Sequence, residues 1–203
     1  MRRLLQLCLV AVILVGLVFA WRTGQERSTV RAEYDRLVRL TGDLPLTDPA
    51  KIHVLAIETG EDLHFAWRIY LPPKCRFVIR HSSGGFGSSS RSEPQQFIAR
   101  VRVREADGRL QLFTKFAGGS GESSFGDDSL AEFLRGRWDE VQVEQLGVGK
   151  VAVLKPDGSA LLLRLSLPEA LQAEAAKQLD RHSLQTKLPL LYEVHIGPEP
   201  ARP

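Results

Sequence analysis

From Lys51 onward, apolar side chains recur at every second position: Ile52, Val54 and Ala56, then Phe65, Trp67, Ile69 and Leu71, then Cys75, Phe77 and Ile79. A strand turns successive side chains to opposite faces, so this alternation buries one face and wets the other, whereas a helix repeats its apolar positions every three or four residues. Pro72-Pro73 separates the second and third runs. The pattern excludes a helical bundle and predicts half-buried antiparallel strands.

Turn chemistry sharpens the expectation. In "ARVRVREADGRLQLFTKF" a two-residue turn at Asp107-Gly108 sets Val103 opposite Leu112, Val101 opposite Thr114 and Arg100 opposite Lys115. In "KVAVLKPDGSALLLRLSL" a type I turn at Pro156-Asp157, with Gly158 in a left-handed bulge, predicts a second hairpin that joins Val151 and Val153 to Leu163 and Leu161. The Gly/Ser-rich stretches "HSSGGFGSSSRS" and "GGSGESSFGDD" read as flexible loops. Ser129 with Glu132 and Ser166 with Glu169 have capping-box spacing, which predicts a short helix stopped by Gly136 and a longer one running to about His182. Leu190 to Ile196 reads as a last strand. The expected body is mainly β (α+β), an antiparallel β-sandwich or curved sheet over residues 43–197 with one accessory helix, followed by a tail at 198–203.

The amino-terminal part is different. Leu4 to Trp21 is apolar apart from Gln6, and as a helix it would be roughly 27 Å long, close to the roughly 30 Å of a bilayer core. Trp21 and Arg22 end it as interfacial anchors do. Residues 1–21 are therefore expected to be a transmembrane signal-anchor with the body extracytoplasmic. The alternative is an export signal cleaved after Ala20, which would release a soluble secreted protein. Residues 22–42 place Val30, Tyr34, Leu37, Val38 and Thr41 at helical spacing, which predicts a juxtamembrane stalk helix that could also pair two copies into a homodimer.

Charge narrows the function classes. Residues 1–42 hold seven of the 27 Lys and Arg and three of the 24 Asp and Glu, which leaves 20 basic and 21 acidic side chains for the body. Such a body lacks the overall basicity of a nucleic-acid binder. Its charge is unevenly spread, however: Arg68 to Arg109 contains nine basic and three acidic residues. Arg76, Arg80, Arg100, Arg102 and Arg104 form the candidate face for an anionic partner, either lipid headgroups or an envelope polymer.

Catalytic patterns are weak. "GESSFG" misses the G-x-S-x-G elbow, and the Gly-rich stretches lack the Lys and helix of a phosphate loop. His53, His64, His81, His182 and His195 show no metal-ligand spacing, and Glu61-Asp62 and Asp127-Asp128 lack the calcium-loop repeat. Histidines in strands, such as His53, are expected to be satisfied or at the surface. Cys8 lies inside the apolar span and Cys75 is the other thiol, so the fold is expected to rest on its core without a disulfide. No cofactor or metal is expected. The competing functional class is an exported hydrolase with a site assembled from scattered groups such as His81, Ser83 and the Gly-rich stretches.

The segment "TGDLPLTDPAKIHVLAI...HFAWRIYLPP", with its anchor, stalk, Leu-Pro and Asp-Pro linker and W-R-x-Y-L-P-P strand end, resembles uncharacterised anchored or secreted proteins of planctomycete-type bacteria. The resemblance covers Gly42 to Pro73. It implies a cell-envelope setting and carries no activity or site residue.

Overall fold

The computed structural model describes residues 43–82, 84–88, 92–179 and 188–198, together with Gly16, Trp21–Gln25, Arg27, Val30 and Tyr34. The chain divides into two units, Met1–Val38 and Arg39–Pro203. In the first, the described residues are helical and exposed. Among the described residues no helix is long and apolar enough to cross a membrane. Most of the expected anchor and stalk, including Cys8, lies outside them.

The second unit is mainly β. Strands β1 (Ile52–Ile57), β2 (His64–Leu71), β3 (Phe77–His81), β4 (Gly84–Ser88), β5 (Gln95–Ala106) and β6 (Arg109–Phe116) come first. They are followed by β7 (Gly119–Ser124), β8 (Gln142–Gln145), β9 (Ala152–Leu154), β10 (Ala160–Ser166) and β11 (Leu190–Pro198). Helix α1 (Asp128–Leu134) lies between β7 and β8, and α2 (Glu169–Gln178) between β10 and β11. The strands form two sheets, ordered β7-β6-β5-β2-β1-β9 and β4-β3-β11-β10-β8, and every pairing is antiparallel. One apolar cluster draws Trp67, Ile69 and Val101 from the first sheet, Phe77, Leu163 and Val194 from the second, and Leu134 and Ala175 from the helices. The arrangement is consistent with a β-sandwich.

The Asp107-Gly108 hairpin forms in the expected register, with Val103 opposite Leu112, Val101 opposite Thr114 and Arg100 opposite Lys115. Asp107 (φ 53°) and Gly108 (φ 74°) both occupy the left-handed region that a type I′ turn requires.

The second hairpin does not form. The Gly158 amide does donate to the Lys155 carbonyl at 3.0 Å, closing the turn, but Gly158 does not enter the left-handed region. A type I turn without that bulge splays its strands. β9 accordingly pairs with β1 in the first sheet, while β10 pairs with β8 and β11 in the second. The chain reaches β9 from β8 through Gly147 (φ +83°), whose carbonyl accepts from the Ala56 amide at 3.1 Å. A Cβ there would sit 2.9 Å from the Val54 carbonyl oxygen, so only glycine fits this crossing. Trp67, fully buried, donates from Nε1 to the Leu146 carbonyl at 3.0 Å on the same crossing.

Both Gly/Ser-rich stretches contain strands rather than loops: β4 pairs with β3, and β7 with β6, each at the end of its sheet. An end strand is held by backbone pairing on one side and needs no apolar face of its own, so composition hides it.

β1 is buried on both faces, not half-buried as its alternation predicts. The Pro-punctuated linker packs over its outer side. There Tyr70 Oη donates to the Pro49 carbonyl at 3.0 Å, and Thr47 Oγ1 lies 3.2 Å from His53 Nε2. His53 is buried and satisfied, with Nδ1 also 3.0 Å from the Lys51 carbonyl oxygen.

The helix starts also differ from expectation. Asp127 caps α1, accepting from the amides of Ser129 and Leu130, because its carboxylate reaches the first-turn amides two residues before Ser129, the expected cap. Gly136 takes a left-handed φ of 71° just beyond the helix. Ser166 ends β10, and α2 begins after Pro168 without a side-chain cap and ends at Gln178; His182 is outside the described residues. Both helices that the capping-box spacings predict are thus present, with starts other than those expected. The last strand extends to Pro198. Cys75 is a buried free thiol, and burial pushes its pKa up.

Candidate functional site

The even-numbered residues of β5 point away from the core, since Ala99, Val101 and Val103 fill it. Arg100, Arg102 and Arg104 therefore stand in one column on the outer face of the first sheet. Register extends that column into rungs. One runs Ala66, Arg100, Lys115, Ser120 across β2, β5, β6 and β7; the next runs His64, Arg102, Phe113, Glu122 across the same strands. All of these side chains except Ala66 line an open cavity of about 610 Å³.

The cations there differ in how far they are already compensated. Arg102 Nη2 lies 2.8 Å from Glu61 Oε2, a carboxylate from the β1–β2 turn. Arg104 sits over the Phe113 ring at 4.5 Å and its Nη2 donates to Gln111 Oε1 at 3.4 Å. Among the described residues no carboxylate pairs with Arg100 or Lys115, which face each other across the hairpin between the small side chains of Ala66 and Ser120. Two adjacent like charges held this way repel, and an anion laid between them would remove the repulsion.

His64 borders the cavity with Nδ1 3.5 Å from Glu61 Oε2. Burial lowers its pKa from the usual 6.5, the nearby Arg102 and Arg100 add to that, and Glu61 opposes it. The face therefore holds a neutral imidazole at neutral pH beside its guanidinium groups.

The five arginines singled out from sequence do not share one surface. Arg100, Arg102 and Arg104 come together on the first sheet. Arg80 is on β3 of the second sheet, opposite His195, with Nη2 donating to the Pro198 carbonyl at 3.5 Å; Arg76 is exposed in the connection leading into β3. Sequence reasoning placed Lys115 correctly but missed His64, Phe113, Ser120 and Glu122. Reading residues 119–124 as a loop removed β7 from the sheet and with it the far end of both rungs.

Other candidates resolve into local roles. Asp127 caps α1 and Asp128 pairs with Arg109 at 3.4 Å. His195 lies 3.4 Å from Glu193. His81 packs tilted against Tyr192 at 6.1 Å between ring centres, and its pKa is lowered by burial. Ser83 and His182 lie outside the described residues. Among the described residues no cluster of His, Cys, Asp and Glu has the makings of a metal site. No family model matches the chain, and no curated protein or solved structure matches it.

Proposed function

We propose that the chain is a single-pass, membrane-anchored protein of the cell envelope whose extracytoplasmic β-sandwich acts as a non-catalytic binding or scaffolding module for an anionic partner. The observation that carries this reading is the rung of Arg100 and Lys115, two uncompensated cations side by side on an open face that Arg102 and Arg104 extend. The apolar span of residues 4–21 and the resemblance to anchored or secreted planctomycete-type proteins support the envelope setting.

A strand rises about 3.4 Å per residue, so alternate arginines along β5 recur about every 7 Å. That repeat suits a surface or polymer with regularly spaced negative charges, such as phospholipid headgroups or an acidic envelope polymer. Near an anionic membrane each basic residue contributes about 1 kcal/mol, and salt weakens the attraction.

Purified protein is tested on phosphatidylcholine vesicles with and without phosphatidylglycerol, and on an immobilised acidic polysaccharide, at rising salt. Retention on the anionic supports that falls with salt, and falls in the R100Q/R102Q/R104Q variant, is expected. Equal retention by that variant would return the arginines to an ordinary solvated face.

A further inference from the structure

The basic face is more selective than a uniform patch of positive charge. Its cations are not alike: Glu61 holds Arg102 at 2.8 Å and Arg104 lies over the Phe113 ring at 4.5 Å, whereas Arg100 and Lys115 face each other, both exposed, with no carboxylate among the described residues. On β7 the rung of Arg100 and Lys115 ends at Ser120 and the next rung ends at Glu122, which lines the same cavity. Among the described residues no cation pairs with Glu122. Ser120 and Glu122 are two residues apart on one strand, so about 7 Å separates the end of the cationic rung from a carboxylate acceptor. Two features speak against a bilayer on this face. None of the exposed large apolar side chains among the described residues is on β5, β6 or β7, so nothing there would enter a membrane beside the headgroups. Glu61 and Glu122 also stand at opposite ends of the Arg102 rung, where a flat layer of phosphates would meet both carboxylates.

We propose that this face binds an acidic polysaccharide, taking the carboxylate of a uronic acid unit between Arg100 and Lys115 and a hydroxyl of the same or the adjoining unit on Glu122. The inference rests on the anionic-partner reading above and narrows it to one partner. A carboxylate between the two cations can accept a pair of N–H bonds from the planar Arg100 fork and another from the Lys115 ammonium, which ends their mutual repulsion. Sugar hydroxyls supply what a phosphate layer lacks, donors for a carboxylate, so Glu122 becomes an attractive contact. One sugar ring spans the offset of about 7 Å, and the recess of about 610 Å³ admits a few sugar units.

Fluorescence anisotropy of labelled oligogalacturonate and of its methyl ester of equal length, on the purified full chain, tests it beside co-sedimentation with phosphatidylcholine vesicles that contain phosphatidylglycerol. Oligogalacturonate is expected to bind at least about tenfold more tightly than the ester. R100Q and K115Q should each weaken it by about tenfold, while R76Q, in the connection into β3, should leave it unchanged. E122A separates the two partners: it should weaken oligogalacturonate severalfold, whereas any capture by anionic vesicles should hold or rise, because a repelling carboxylate is gone. Arg100, Lys115 and Glu122 are exposed, so these variants keep the fold, which circular dichroism checks. Equal affinity for the acid and the ester, or oligogalacturonate binding that E122A leaves unchanged or tightens, would overturn the proposal. Arg100-dependent capture by vesicles without oligogalacturonate binding would overturn it and leave the anionic-partner reading standing, and no binding to either would overturn both.

Discussion

Trp67 ties the two sheets at the level of one side chain: it is fully buried and its indole N–H bonds the Leu146 carbonyl on the strand crossing. Trp67→Phe keeps most of the apolar contact but leaves that carbonyl unpaired, which should cost about 1–3 kcal/mol, and Trp67→Ala should cost about 3–5 kcal/mol. Urea unfolding midpoints check both. Two histidines make a pH prediction. Burial lowers the pKa of His64 and of His81 below 6.5, so as pH falls through that value the unfolded chain takes up protons before the folded one. Their contribution is complete above about pH 6.5 and is lost as pH drops toward the lower folded values. Stability should therefore decline on acidification across this window, and H64Q/H81Q should flatten the decline in urea titrations at a series of pH values. His53 is more deeply buried than either, and Lys51, Thr47 and Asp48 meet its two ring nitrogens. The alternation around it marked a strand, but only the folded linker decides that the outward side chains of β1 are covered.

At the scale of the element, the β5–β6 hairpin was readable because its determinants are local. Asp107 and Gly108 accept left-handed backbone, and period two on both flanks then leaves one register that buries Val101, Val103 and Leu112 together. The same register sets Arg100 against Lys115. Replacing either by Gln should leave folding intact and raise stability by up to about 0.5 kcal/mol at low salt, with the gain vanishing at high salt. A loss of stability at low salt would show that the pair is compensated within the protein. The neighbouring elements were less readable. The Lys155–Gly158 turn is present, but whether its flanks pair depends on backbone twist at Gly158 and on the vacancy beside β1. The Ser-x-x-Glu spacings found two helices and misplaced both starts, since capping needs a side chain aimed at free amides and spacing alone does not set that direction.

For the molecule as a whole, residues 43–198 contain both sheets and the shared core, and as a separate fragment they should be soluble and unfold in a single transition. A far-UV circular dichroism spectrum dominated by strand is expected, and a mainly helical one would refute this. The β class, the Asp107-Gly108 hairpin and the outward column of Arg100, Arg102 and Arg104 follow from the sequence by itself, because side-chain period and turn chemistry act over a few residues. Sheet membership does not. It is tertiary pairing that sends β9 to β1, makes edge strands of two Gly/Ser-rich stretches and separates Arg80 from the other arginines. Those outcomes depend on backbone hydrogen bonds between distant segments, and a backbone amide or carbonyl carries no trace in the sequence of the partner it will find.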